Sequence, residues 1–152
     1  MDQTDRKILA ELQRDGSLSN AELADRVGLS TTPCWRRVRL LEEQGYIRNR
    51  VALLDRDKLN VGVTVFVGIR TSRHDADWLD EFARVVRTLP EVQEFHRMSG
   101  EVDYLMKVVV PDIAAYDRFY KRLIAEIDLS DVSSSFAMEE IKNTTELPLS
   151  YL

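Results

Sequence analysis

The stretch SNAELADRVGLSTTPCWRRVRLLEEQG, residues 19–45, limits the fold of this chain more than any other. SNAE is a capping box, in which a hydroxyl at the cap and a carboxylate three residues on satisfy two orphan N–H groups of a helix start. The short helix it opens is expected to bury Leu23, Ala24 and Val27. Gly28 breaks that helix with a turn that a larger residue would strain. Ser30, Thr31 and Thr32 offer new caps, and Pro33 suits a first helical turn, where its missing N–H costs little. A third helix is expected to run to about residue 44, where Gly45 stops it. Upstream, Thr4 is the expected cap of a first helix over 5–14 that buries Ile8, Leu9 and Leu12, ended by Asp15-Gly16.

On a helical wheel of about 100° per residue, Cys34, Val38 and Leu41 share one face of the third helix, and that face is core. Thr32, Arg36 and Arg39 fall opposite. Arg37 sits nearer the core edge, placed to reach sideways. Two helices around a glycine turn, the second with a polar, basic outer face, form a helix-turn-helix pattern. Hydroxyls and guanidinium groups near a helix N-terminus suit phosphates and guanine edges. The candidate DNA-reading set is Ser30, Thr31, Thr32, Pro33, Trp35, Arg36, Arg37 and Arg39, with Arg36 and Arg39 as the main base-edge or phosphate contacts. Trp35 has two open readings: packing on the DNA backbone beside the arginines, or packing against the wing. After Gly45, the segment YIRNRVALLD puts Ile47, Val51 and Leu53 on one strand parity. It is read as the wing, with Arg48 and Arg50 free to reach phosphates.

Net charge alone argues against this reading, since the chain of 152 residues carries −5. The distribution reverses the argument. Residues 1–50 hold nine basic and eight acidic side chains, and residues 29–50 hold five arginines against two glutamates. A focused positive patch is what a polyanion feels at short range. The hydrophobic fraction of 44% fits a globular fold, and no apolar run approaches the roughly 20 residues of a membrane span. The start, MDQTD, is not a secretory signal, so a cytoplasmic location is expected. Cys34 is the only cysteine, which excludes an intrachain disulfide and leaves it as a small core residue. With His74 and His96 far apart, zinc-ligand spacing is absent, and no cofactor is expected. There is no phosphate-binding glycine loop and no Ser/His/Asp set, so an enzyme is not expected.

Residues 56–62 read as a linker between a DNA-binding domain over 1–55 and a second domain over 63–152. In the second domain, Val63, Val65, Val67 and Ile69 alternate as a strand. Trp78, Leu79, Phe82, Val85, Val86 and Leu89 have helical spacing and end at Pro90. Two strands follow, over 92–99 and 103–110, joined by a turn at Gly100. A second helix opens at Pro111-Asp112, with Ile113, Tyr116, Tyr120, Leu123, Ile124 and Ile127 on one face. A last strand is expected over 132–141. The order βαββαβ implies a ferredoxin-like, α+β domain, one antiparallel sheet with two helices on one face. Thr64, Phe66, Leu105, Val109, Phe136 and Met138 are candidates for the uncovered face, and an apolar face of this kind implies a homo-oligomer.

With LSNAELADRVGLSTTPCWRRVRLLEEQGYI, MSGEVDYLMKVVVPD and SSFAMEEIKNTTELPL, the chain resembles the Lrp/AsnC (feast/famine) transcription regulators over essentially its whole length. TTPCWRRVRLLE, RMSGEVDYLMKV, YDRFYKRL, LSDVSSSFAMEEIK and TTELPL are most similar to the cysteine-responsive branch concerned with cysteine detoxification. The resemblance implies a winged helix-turn-helix followed by a βαββαβ effector (RAM) domain. It implies dimers through the sheet faces, assembling to tetramers or octamers, that bind near-palindromic double-stranded operator DNA. It also implies a small amino-acid effector, with cysteine first and leucine or another branched-chain amino acid as the alternative. The implied effector site lies near the turn GEVD and the adjoining end of the last strand. Its candidates are Met98, Ser99, Gly100 and Asp103, with Ser134, Ser135, Thr144 and Thr145. Asp103 suits a ligand ammonium or, alternatively, caps a turn at a strand start. Arg97 suits Glu101 or a ligand carboxylate, and the serine run over 133–135 suits a polar pocket or a solvated edge. Without DNA binding, the remaining reading is an amino-acid sensor module.

Overall fold

The structure is a computed structural model that describes residues 1–73 and 75–152. His74, read from the sequence as an ordinary surface residue, lies outside the described residues. The chain forms two compact units, Met1–Leu53 with Lys142–Leu152, and Leu54–Ile141. The last segment therefore groups with the first unit, where the sequence division assigned it to the second domain.

The first unit holds three helices, α1 (Gln3–Arg14), α2 (Asn20–Val27) and α3 (Thr31–Glu43). The cap of α1 is Asp2, not Thr4. The Asp2 carboxylate accepts the Asp5 N–H at 2.9 Å, and the Asp5 carboxylate accepts the Asp2 N–H at 2.9 Å. Two reciprocal carboxylate bonds outcompete one threonine hydroxyl. Ser19 and Glu22 form the expected capping box on α2. Gly28 follows in the left-handed conformation, φ 72° and ψ 38°, and donates its N–H to the end of α2. Ile8, Leu12, Leu23, Ala24, Val27, Cys34, Val38 and Leu41 close one core between the helices. Burial pushes the Cys34 thiol up, which keeps it protonated and inert.

The strand expected in the wing segment is a correction. Residues 47–55 contain no strand, and only Ile47 packs on the helical core. Val51 and Leu53 are exposed. Their alternation has no second strand to pair with, and a lone strand leaves its N–H and C=O groups unpaired.

The second unit orders its elements as β1 (Val63–Arg70), α4 (Ala76–Thr88), β2 (Val92–Arg97), β3 (Tyr104–Val110), α5 (Ile113–Glu126) and β4 (Asp131–Phe136). The strands lie in the order β2-β3-β1-β4, and every neighbouring pair is antiparallel. The expected linker is a closed turn: the Asp55 carboxylate accepts the N–H groups of Asp57 and Lys58, and Asn60 takes φ 57°. Val65, Val67, Ile69, Met106 and Val108 face the helices and pack on Trp78, Phe82, Val85, Phe119 and Leu123. On α5, Phe119 is buried, whereas Ile113 and Ile124 are exposed. The buried stripe is 116, 119, 123 and 127, with Tyr120 half-buried beside it and the two isoleucines on its flank. β4 stops at Phe136 rather than 141 because its partner runs out. Ala137 makes the last bond, its N–H to the Thr64 carbonyl at 2.9 Å, one residue from the start of β1.

The register also fixes the open face. Thr64, Phe66, Leu105 and Val109 share it with Lys107, Glu94, His96, Ser133 and Ser135. Phe136 does not, because it pairs opposite Val65 and sets its ring against Tyr116, centroids 5.2 Å apart. Met138 lies beyond β4 and is exposed. No helix of the described residues is long and apolar enough to cross a membrane.

Candidate nucleic-acid interface and ligand-binding region

The α2–Gly28–α3 corner presents the outer face of α3. Ser30 is the N-cap of α3, but its side chain makes no capping bond. Thr31, Thr32 and Pro33 form the first turn as helical residues rather than caps, and all of them are exposed. The N-terminal N–H groups and the nearby hydroxyls therefore face outward, a site suited to an anion.

The arginines divide by partner. Arg37 reaches sideways from α3, as its place near the core edge suggested. Its Nη1 lies 2.7 Å from an Asp2 oxygen and 2.7 Å from an Asp5 oxygen, so it clasps α3 to the start of α1. The Asp5 N–H first, then Arg37, hold the Asp2 carboxyl below its usual range, and the two carboxylates raise Arg37. Arg50 of the expected wing also turns inward, to Glu42 of α3 at 3.1 Å. Arg39 is held loosely, 3.8 Å from Glu42 and 3.9 Å from Glu43. Among the described residues, Arg36 and Arg48 have no ion pair, and both are exposed. Trp35 is 47% exposed, on the same helix as Arg36 and Arg39.

The Asp2 carboxylate, held by the Asp5 N–H and then by Arg37, carries a pH signature. A carboxyl whose folded pKa is depressed contributes stability above its unfolded value near 4 and loses it as pH falls through the folded value. Thermal melts of the full chain are expected to lose stability more steeply between about pH 5 and pH 2 than melts of Asp2→Asn, which still caps the helix. Parallel curves for the two proteins would show that the Asp2 charge contributes nothing.

In the second unit, the turn between β2 and β3 brings Met98, Ser99, Gly100 and Asp103 together. The Met98 N–H reaches the Asp103 carbonyl at 2.8 Å, and the Asp103 N–H reaches the Ile69 carbonyl at 2.9 Å. Gly100 takes φ 137°, a conformation that favours glycine. The Asp103 carboxylate accepts the Thr71 N–H at 2.8 Å, so it does cap a turn, that of the neighbouring β1 end. Arg70 donates to the Glu101 carbonyl at 2.6 Å and stands 3.8 Å from Asp131 at the start of β4. Arg97 makes no ion pair with Glu101 among the described residues; it stands opposite Tyr104.

The rest of the expected effector set lies on β4 and in the C-terminal segment. Ser134 points to the helix side, its hydroxyl hydrogen-bonded to the Tyr116 hydroxyl, and burial raises the Tyr116 phenol. Ser135 faces the open side opposite Phe66. Thr144 and Thr145 belong to the first unit. The strand end beside the turn carries Asp131, Val132 and Ser133 instead. Sequence reasoning missed Arg70, Thr71 and Asp131. The antiparallel β1–β4 pairing places the end of β1 beside the start of β4 and could have named them.

Taken together, a helix-turn-helix unit and a ferredoxin-like unit define a two-part DNA-binding protein with a separate sensory domain. The comparisons then fix the family. A family model described as Lrp/AsnC ligand binding domain matches residues 64–147, and one described as winged helix-turn-helix DNA-binding matches residues 1–48. The chain is similar to the DNA-binding transcriptional activator DecR of Escherichia coli K12, 53% identical over 98% of this chain and 99% of that protein. A crystal structure of an AsnC family transcriptional regulator from Agrobacterium tumefaciens superposes with TM-score 0.97 at 65% identity, covering 100% of this chain and 99% of that one. A Neisseria meningitidis transcriptional regulator solved as an L-Met complex superposes with TM-score 0.95 at 40% identity, covering 99% and 98%. The chain belongs to the Lrp/AsnC family of transcriptional regulators, with a helix-turn-helix and a ligand-binding domain. Its members are regulators, not enzymes.

Proposed function

We propose that this chain regulates amino-acid metabolism by reading operator DNA with α3, and that a small amino acid changes its assembly or its DNA affinity. The observation that carries the reading is Arg36: exposed, without an ion pair among the described residues, and next to the free hydroxyls of Ser30, Thr31 and Thr32. Arg39 assists, Trp35 lies against the DNA backbone, and Arg48 contacts phosphate. Arg37 and Arg50 position α3 instead. A cytoplasmic location goes with this reading. Binding of the upstream DNA of its own gene by wild type and by Arg36→Ala tests this reading.

The open sheet face supports a homodimer that assembles further to tetramers or octamers. Phe66 is 41% exposed near its centre, directly opposite Lys107 and between Leu105 and Val109, with Glu94 and His96 on the edge strand β2. A dimer carries two copies of α3, which suits a near-palindrome. Phe66→Asp buries a charge in that contact and is expected to yield monomers by sedimentation at micromolar concentration. An unchanged sedimentation coefficient would remove the sheet face from the interface.

For the effector, the turn at Met98, Ser99 and Gly100 offers backbone N–H groups to a carboxylate, and Asp103 keeps acceptor capacity for an ammonium. The motifs shared with the cysteine-responsive branch put cysteine first. Leucine is the alternative, and the L-Met complex of the Neisseria relative adds methionine to the test.

A further inference from the structure

The C-terminal segment is held by specific contacts. The Gln13 carboxamide grips a single peptide group. Its Nε2 donates to the Leu147 carbonyl at 3.1 Å, and its Oε1 accepts the Leu147 N–H at 2.9 Å. Arg14 next to it pairs with Glu146 at 3.3 Å. Leu149 and Leu152 then line an open cleft of about 1220 Å³ with Leu9, Leu12, Tyr46 and Ile47. The clasped residue, Leu147, is also where the match to the ligand-binding domain ends. A segment that continues from β4 is thus docked on the helix that braces α3.

We propose that residues 144–149 form an intramolecular latch on α1 that holds the helix-turn-helix in its DNA-reading form, with Gln13 as the positioning residue. α1 is gripped from two directions. Asp2 and Asp5 at its start hold Arg37 of α3, and Gln13 and Arg14 at its end hold the tail. Ile8 and Leu12 between them lie in the helical core. Releasing the tail frees the outer flank of α1 and, through the same rigid helix, the seat of Arg37. The latch consists of two exposed hydrogen bonds and one exposed ion pair, so it opens and closes within reach of a modest differential interaction. Because the segment is continuous with β4, a ligand that displaces the end of β4 acts on the latch through the chain itself.

The inference rests on the DNA-reading function proposed above, and its test separates the two. Gln13→Glu removes the donor to the Leu147 carbonyl and adds a charge near Glu146. Leu147→Pro removes the N–H that Gln13 accepts, and it costs little packing because the Leu147 side chain is 71% exposed. Full-length proteins are titrated against the upstream DNA, with Arg36→Ala as the control that decides the functional reading by itself. Each latch variant is expected to bind about five- to tenfold more weakly. The double variant is expected to be no weaker than the poorer single, because both changes remove one contact. Amide exchange at the end of α1 rises in all of them. Wild-type affinity in both single variants, or independent losses that multiply in the double, would overturn the latch.

Discussion

Replacing Arg36 with alanine is expected to weaken specific DNA binding by about 1–3 kcal/mol while leaving the fold intact. The fold is safe because the side chain is exposed and carries no ion pair among the described residues. The binding loss is large because a guanidinium in the major groove donates two parallel bonds to one guanine edge. Arg36→Lys keeps the charge but loses the planar fork, so it should retain the salt dependence and lose discrimination between specific and scrambled DNA. Arg37→Ala is the instructive contrast. Its guanidinium is occupied by Asp2 and Asp5, so its loss should appear first in the stability of the helical unit. Fluorescence anisotropy on labelled DNA at two salt concentrations measures the binding effects. If Arg37→Ala lost specificity and Arg36→Ala kept it, the division of roles between these arginines would be reversed.

Phe119→Ala is expected to destabilise the ligand-binding domain by about 3–5 kcal/mol. Phe119 is fully buried on α5, its ring centroid 5.8 Å from that of Tyr116. Truncation removes the ring and leaves a cavity between α5 and the sheet, which a packed core closes only in part. Ile124→Ala on the same helix is exposed and should change stability by no more than about 0.5 kcal/mol. Urea unfolding of the two variants distinguishes the sites. A small effect at Phe119 together with a large one at Ile124 would show that the buried stripe of α5 is misplaced.

That pair also shows what the sequence made legible. The apolar spacing of α5 announced a helix but not which flank faced inward, because aromatic and aliphatic residues lie on both sides of the stripe. The helix-turn-helix was legible almost to the residue, since its signals are local: Ser19 with Glu22, Gly28, Gly45 and the Cys34, Val38, Leu41 face. What failed was long-range. Asp2 and Asp5 are more than thirty residues from Arg37, and nothing in the α3 pattern names its partner. Thr4 looked like a cap until Asp2 supplied a stronger one. The 46–53 segment alternates like a strand but has no strand to pair with. The length of β4 was set by where β1 begins. At the turn between β2 and β3, Gly100 and Asp103 were named, whereas the helix-side facing of Ser134 depends on the β1–β4 register. The Gln13 contact with Leu147 spans 134 positions and has no sequence signature.

The most direct test of the central claim is a titration of the full-length protein against labelled upstream DNA at two salt concentrations. It is run without ligand and then with L-cysteine under reducing conditions, L-leucine and L-methionine. The account predicts specific binding that salt weakens, that Arg36→Ala impairs, and that one of the three amino acids shifts. Equal affinity for upstream and scrambled DNA, unchanged by Arg36→Ala and by every amino acid, would contradict it.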